Sequence, residues 1–442
     1  MGSLLNELNK AYKILGVEPG LYIRFRYKNE ILEGVVMPPY VFTDPDIIVI
    51  KLKNGYNIGV LYSEIKDLEI IEMKKPEASS ISSEKIVQRK DLPKIIVVGT
   101  GGTIASKIEY ETGAVKPSTS VDELIEAIPE VLDIAYIESE TLFNILSENM
   151  RPEYWEIIAE RIYNYMRDET YKGVIVTHGT DTMSFTASAI AFAIQRKNIP
   201  IIFVGSQRSS DRPSSDAALN FIGAVITAVK APFAESVIAM HHETSDTKIA
   251  VSRGVKTRKM HTSRRDTFRS INSRPLALVD PFKKDVELIE KEYIPRSKEE
   301  PILMNGFDKK VALIYSYPGI DPEILEFLIE KKYRGIVIAG TGFGHVPEYM
   351  TPVIRKAINN NIAVAVTSQT LYGRVNLSVY QTGREMLRAG VIPCEDMLPE
   401  TAYVKLSWTL YRTDNIESVR KIMLTNYVYE MNPRLTEDLF LR

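Results

Sequence analysis

The sequence predicts an α/β protein: two domains built on parallel sheets, preceded by a small N-terminal β-barrel. Three observations lead there. From residue 94 onward strand-like and helix-like patterns alternate, the mark of a parallel sheet with helical crossovers. Two short apolar runs, Ile95-Ile96-Val97-Val98 and Val174-Ile175-Val176, each lead into a turn of glycines and threonines. Strands buried on both faces read this way, and open α/β sheets bind ligands at their carboxyl ends. Residues 20–73, by contrast, break into short β-type runs divided by turn residues, the spacing of a small barrel.

Taken in order, residues 4–15 place Leu4, Leu5, Leu8, Tyr12 and Leu15 on one side of a short amphipathic helix. Four β-type runs follow within 20–73, and Asn54-Gly55 between two of them is a hairpin signal. Residues 1–73 are therefore read as a docking module. The Ser-, Lys- and Glu-rich stretch 74–93 reads as a linker. Next comes a large α/β domain at 94–282, with strands near 94–98, 173–177, 200–204 and at Ser236–Met240, and helices over 152–167, 182–197 and 217–229. The charged, proline-containing segment 283–310 reads as a second linker. A smaller α/β domain at 311–442 carries strands near 311–315, 335–340 and 362–367, and helices near 321–332, 347–358 and 399–411.

Composition narrows the function. Of 442 residues 45% are hydrophobic, enough for a substantial core. Fifty-five Lys and Arg against 57 Asp and Glu give a formal charge of −2, which is no nucleic-acid footprint for the whole chain. The one cysteine, Cys394, suits a reducing compartment. No apolar run approaches the length of a membrane span and the first residues carry no signal-peptide core, so a soluble cytoplasmic protein is expected.

The glycine turns do not match a dinucleotide site. Counting Gly-x-Gly-x-x-Gly from Gly99 puts Ile104 at the third glycine, and from Gly340 it puts His345 there. The five histidines show no metal-ligand spacing, so no metal is expected. Hydroxyls beside a carboxylate, with a lysine available to exchange protons and backbone N–H groups free to hold an oxyanion, suit acyl transfer. The basic segment with Arg253, Lys256, Arg258, Lys259, Arg264, Arg265, Arg269 and Arg274 could supply that lysine, and in sequence only Asp266 opposes it. Helix capping by Thr and Asp competes with a catalytic role at this level.

The motifs themselves carry a resemblance. Thr100-Gly-Gly-Thr103-Ile-Ala resembles the first signature of the bacterial-type L-asparaginase family, and His178-Gly-Thr180-Asp181-Thr182 the second. Val204-Gly205-Ser-Gln-Arg208, the stretch from Lys259 to Phe268 and Gly390 to Glu400 extend it over roughly residues 94–412. The resemblance implies an asparaginase-like fold with its site at sheet carboxyl ends. It implies Thr103 as a candidate nucleophile, Thr180, Asp181 and Lys259 as a relay, Tyr110 as a mobile-loop tyrosine and Ser147 as the contact to the substrate's α-carboxylate end. Glu148 stands where glutamine is frequent in asparaginases, which leaves open the choice between glutamine and asparagine. Which threonine is acylated is open as well.

Residues 20–73, especially Leu32-Glu-Gly-Val-Val-Met-Pro and Ile50-Lys-Leu-Lys-Asn-Gly, resemble the N-terminal module of the D-subunit family of archaeal tRNA-dependent amidotransferases. That resemblance implies a threonine-dependent glutaminase that releases ammonia to a partner E subunit. The E subunit would use ATP and Mg to convert Glu-tRNA(Gln) to Gln-tRNA(Gln), and this chain's own site would bind no cofactor. A homodimer within a D2E2 heterotetramer is implied, with the tRNA held mainly by the partner. The rival expectations are a stand-alone asparaginase with an appended barrel, and a non-catalytic RNA-binding scaffold using the basic segment.

Overall fold

The computed structural model describes residues 10–28, 30–37, 44–52, 57–71, 88–102, 104, 106–108, 115–117, 121–208 and 215–440. At the N-terminus, helix α1 (Lys10–Leu15) is followed by strands β1 (Tyr22–Tyr27), β2 (Glu30–Val36), β3 (Ile47–Leu52), β4 (Asn57–Leu61) and β5 (Ile65–Ile71). They form one antiparallel sheet in the order β4-β3-β2-β1-β5. Alternate residues point inward, as the two-residue period of a strand requires: Ile23, Phe25, Ile48 and Ile50 are fully buried together with Ala11 of α1. The β3–β4 hairpin pairs Lys51 with Asn57. Its Asn54-Gly55 turn, residues 4–9 of the expected helix and most of the 74–93 stretch lie outside the described residues.

The large sheet begins with β6 (Lys94–Gly101) and continues through β7 (Tyr136–Ile145), β8 (Tyr171–Thr177), β9 (Ile201–Val204), β10 (Ser236–His241), β11 (Ile249–Arg253), β12 (Ala277–Asp280) and β13 (Asp285–Leu288). Its order is β13-β12-β11-β10-β9-β8-β6-β7. The five strands from β7 to β10 run parallel, and β11, β12 and β13 extend the sheet antiparallel. Strand pleating splits the apolar runs between two cores. Ile95, Val97, Ile175 and Val204 pack against α2 (Val121–Ala127) and α5 (Ala217–Lys230) on one face. Ile96, Val98, Val176 and Phe203 pack against α3 (Pro152–Met166) and α4 (Met183–Ala193) on the other.

A second parallel sheet is formed by β14 (Val311–Tyr315), β15 (Gly335–Gly340), β16 (Ala363–Ser368) and β17 (Ile392–Pro393), in that order. Five helices accompany it: α6 (Glu323–Glu330), α7 (Thr351–Asn359), α8 (Gln381–Ala389), α9 (Pro399–Leu410) and α10 (Ile416–Met423). Helix α9 joins the two sheets. Its Leu406 and Leu410 serve the second core, while Val404 and Trp408 enter the first beside Trp155 and Phe192.

Two sequence expectations are corrected. The 283–310 segment is not a free linker. It carries β13 and a short strand, Ile302–Leu303, paired with Ile194–Gln195, and its Arg296 donates to Ala231 O at 2.5 Å and Ala228 O at 2.7 Å. Most of its other charges are exposed, so composition alone could not single out Arg296 as an internal anchor. The helix expected over 182–197 ends at Ala193, because Ile194–Gln195 is taken by that pairing and Arg196 adopts a φ of 47°.

Lys197 closes this helix end. Wholly buried, it donates to Ala191 O at 2.8 Å and Ile194 O at 2.6 Å. Burial pushes its pKa down to about 8, against the attraction of Glu235 and Glu430. Between that value and the ordinary 10.5, the folded chain has released this proton while the unfolded chain keeps it. The group's contribution to stability therefore rises with pH across that window, by up to about 3 kcal/mol in all. Denaturant titration of wild type and Lys197→Met should show their difference in unfolding free energy moving in favour of wild type as pH climbs from about 8 to about 10.5. A difference that stays flat would contradict the desolvated ammonium.

Candidate active site

The site is built where β6, β8 and β9 end side by side, each on a glycine turn. Neighbouring strands of a sheet lie about 4.8 Å apart, so their terminal turns crowd one another. A side chain at Gly102 would place its Cβ 2.4 Å from Gly179 N, and one at Gly179 would lie 2.6 Å from Ser147 Cβ. At Gly205 the conflict is with His178 O at 2.6 Å and Thr180 Cγ2 at 3.1 Å. Gly102 also holds a φ of 91°, which glycine alone adopts readily. Hydrogen bonds stitch the same turns together: Thr100 Oγ1 donates to Thr177 O at 2.8 Å, and Thr182 Oγ1 to Ser147 O at 2.7 Å.

The second turn projects Thr180, buried, and Asp181, whose side chain is 65% exposed. Lys259 arrives from a different part of the chain. Beyond β11 the backbone makes a short 3-10 turn, Gly254–Lys256, and enters the strand Thr257–Lys259, which pairs with Phe268–Ser270. From there Lys259 Nζ donates to Thr180 Oγ1 at 2.9 Å and to Asp181 Oδ1 at 2.7 Å. Sequence reasoning thus named three residues that the fold brings into direct contact. It also named Ser147, buried against Gly179, and Glu148, exposed on the same 3-10 turn Ser147–Asn149. Thr103 and Tyr110 lie outside the described residues.

Capping does not explain these hydroxyls. Helix α4 starts after Thr182 with no side-chain cap bond, the Thr180 hydroxyl accepts from Lys259, and the Thr182 hydroxyl is used on Ser147 O. His178 is structural. It is fully buried, its Nδ1 lies 2.7 Å from Gly179 O, and burial pushes its pKa down to about 4, so it is neutral near pH 7.

A polar layer behind the site was not found from sequence. The fully buried Asp216 accepts from Gln207 N, Arg208 N and Asn220 Nδ2 at 2.9–3.0 Å. Asn220 in turn donates to Gly205 O at 3.0 Å and meets His241 Nδ1 at 2.6 Å. These contacts fix the β9 turn. The only sequence signal was the third strand-glycine turn at Val204-Gly205 itself.

The basic segment also resolves differently from its sequence. All eight cations pair with carboxylates: Arg253 with Glu235, Lys256 with Asp396, Arg258 with Glu400, Lys259 with Asp181, Arg264 and Arg269 with Asp266, Arg265 with Asp246, and Arg274 with Asp438. Most of the opposing acids come from distant positions, which hid the neutralisation. Among the described residues no group of three or more His, Cys, Asp or Glu is placed to hold a metal ion, and no helix is long and apolar enough to cross a membrane.

Fold and site together define the asparaginase and glutaminase class of amidohydrolase. Family models agree along the chain: "Asparaginase, N-terminal" matches residues 94–293, "Glutaminase/Asparaginase C-terminal domain" residues 310–423, and "GatD N-terminal domain" residues 17–71. A solved thermostable L-asparaginase from Thermococcus kodakarensis superimposes with a TM-score of 0.69 at 33% identity, covering 77% of this chain and 100% of its own. Two curated relatives are similar over far more of the sequence. The D subunit of glutamyl-tRNA(Gln) amidotransferase from Thermococcus kodakarensis is 52% identical, covering 93% of this chain and 92% of its own length. Its counterpart from Pyrococcus abyssi is 50% identical, covering 93% of each. The chain belongs to this family, that of the D subunits of glutamyl-tRNA(Gln) amidotransferase.

The crowding of the glycine turns can be measured. Gly102→Ala should lower stability by about 1–3 kcal/mol beyond the backbone strain alone, because its Cβ would drive the β6 and β8 turns apart. Gly319→Ala supplies the strain reference, since Gly319 has a comparable φ of 83° and open space around it. Equal losses in the two variants, by denaturant unfolding, would contradict the close approach.

Proposed function

We propose that this chain is the glutamine-hydrolysing subunit of a tRNA-dependent amidotransferase, with Thr180, Asp181 and Lys259 as its proton-handling group and Thr103 or Thr180 as the nucleophile. One observation carries this reading: a single ammonium lies within hydrogen-bond distance of both the Thr180 hydroxyl and the Asp181 carboxylate. Once Lys259 has passed a proton to solvent by way of the exposed Asp181 carboxylate, its lone pair can accept the Thr180 hydroxyl hydrogen as the oxygen attacks the side-chain amide carbon. Asp181 then faces the ammonium so formed. The tetrahedral adduct collapses, the C–N bond breaks, and the departing nitrogen takes the proton back from Lys259 and leaves as ammonia. Water attacks the remaining ester and releases glutamate. Backbone N–H groups of the glycine turns suit the oxyanion.

Ser147, Glu148 and Tyr110 are proposed as substrate contacts, with glutamine or asparagine as the amide donor. The reading gives this chain's site no cofactor and no metal, and assigns ATP and Mg to an E-type partner that also holds most of the Glu-tRNA(Gln). A D2E2 assembly in the cytoplasm is part of the same proposal. A stand-alone asparaginase is not favoured, because the relatives that match nearly the whole chain carry the amidotransferase name and a module matching residues 17–71. A scaffold that binds RNA through the basic segment is not supported either, since each of those cations already faces a carboxylate.

Co-purified with an E subunit and supplied with charged tRNA, Thr180→Ala and Lys259→Met should each cut glutaminase turnover by on the order of a thousandfold. Peptide mass analysis of the trapped acyl-enzyme identifies the acylated threonine. Full activity in both Thr103→Ala and Thr180→Ala would overturn the proposal.

A further inference from the structure

Lys259 must hold two distances at once, yet its own contacts are poorly suited to holding it, because Asp181 is largely exposed. Ion pairs of that kind contribute about 0–1 kcal/mol. The residues just before Lys259 are anchored far more firmly, and mostly by the second α/β unit. Arg253 is buried, bonds Glu235 at 2.7 Å and lies 4.2 Å from the Tyr429 ring. Val255 O accepts from Thr401 Oγ1 at 2.8 Å. Lys256 forms the most enclosed of these contacts: its Nζ lies 2.7 Å from Asp396 Oδ2, with side chains 1% and 0% exposed. Asp396 is itself held, accepting from Asn432 N at 2.8 Å and Asn432 Nδ2 at 2.9 Å.

The turn between these anchors also touches the helix that carries the other half of the site. Gly254 packs so closely on Ala187 of α4 that a Cβ there would lie 2.6 Å away, and Gly254 O accepts from Ser188 Oγ at 3.3 Å. Helix α4 starts directly after Thr180-Asp181-Thr182. Gly254–Lys256 is thus clamped between α4 and Asp396, three residues upstream of the proton-handling lysine.

We propose that Asp396 is a positioning residue: by holding Lys256 in a buried ion pair, it fixes the strand Thr257–Lys259 against α4 and sets the reach of Lys259 to Thr180 and Asp181. The C-terminal unit thereby governs proton transfer in a site otherwise assembled from the large sheet. This inference rests on the role given to Lys259 above. Misplacing a reacting group by about 1 Å can cost around a hundredfold in rate, whereas groups that bind the substrate stay where they were.

The test compares wild type with Asp396→Asn in complex with the partner subunit and charged tRNA. Asn keeps an acceptor for Lys256 and removes the charge. The expected result is a fall in kcat of about tenfold or more, with the KM for glutamine within about twofold, in protein whose circular dichroism matches wild type. Asp396→Glu, which restores the carboxylate, should recover part of kcat. If Asp396→Asn does not fold, Asn432→Ala takes its place, since it removes the Nδ2 bond to Asp396 Oδ2, keeps the backbone N–H bond to Oδ1 and leaves no charge unpaired; a smaller loss in kcat at constant KM is expected there. Wild-type kcat in the folded variant, or a loss confined to KM, would overturn the inference. The two proposals fail separately: active Thr180→Ala and Lys259→Met enzymes would remove the catalytic reading, while inactive ones beside a fully active Asp396→Asn enzyme would remove only the positioning role.

Discussion

Where Gly102 meets Gly179, two backbones approach more closely than any side chain permits, and much of the site follows from that contact. Parallel strands bring their carboxyl ends together at about 4.8 Å spacing, so the turns leaving them must diverge or be stripped of Cβ atoms. Here they are stripped. Gly102, Gly179 and Gly205 let the ends of β6, β8 and β9 stay in register, with Ser147 seated against the middle turn. The direction of α4, the exposure of Asp181 and the burial of Thr180 are set by the same geometry. A bulkier residue at any of the three positions would collide with the neighbouring turn and shift the site residues it carries.

Energetically, the site separates what is held from what acts. Of the groups proposed to act, Thr180 is buried, while the Lys259 side chain is 15% and that of Asp181 65% exposed. The holding groups are buried and satisfied: Asp216 with three N–H donors, Lys256 with Asp396, and Lys405 with Glu430 at 2.6 Å. Buried pairs of this kind are costly to break by removing one partner, about 3–5 kcal/mol, although replacing both can be nearly neutral. They therefore fix geometry more than they add net stability, which is what the proposed proton relay needs from its surroundings.

Legibility from sequence followed the kind of interaction involved. The strands β6, β8, β9, β10, β15 and β16 were readable because burial on both faces leaves short runs that are mostly apolar, and β14, half-buried at the edge of its sheet, through the run Val311-Ala-Leu-Ile. Thr180, Asp181 and Lys259 were readable through motifs, and the fold brings them together. What escaped depends on partners far apart in the chain. Strand β13 hides in a charged segment because its pairing with β12 is a backbone matter that composition does not register. The basic segment looked unopposed because Glu235, Asp246, Asp396, Glu400 and Asp438 reach it from elsewhere. Asp216 stands directly before α5 yet makes no side-chain cap bond to it; its carboxylate turns back to the β9 loop, a contact no local pattern announces.

That neutralised segment also changes how the charge of this chain is understood. A run of eight cations between residues 253 and 274, each facing an acid, leaves little free charge to attract a phosphate backbone. The pairs do different work according to depth. Those on Asp266, reached by Arg264 and Arg269, stiffen the hairpin from within. Arg253, Lys256 and Arg258 reach outward, to the large sheet and to the C-terminal unit, and they precede Lys259 directly. Since an exposed carboxylate holds a lysine only weakly, the precision of Lys259 has to come from these neighbours. Under the roles proposed above, the two α/β units act as one catalytic body, in which the second contributes by fixing the strand that delivers the lysine.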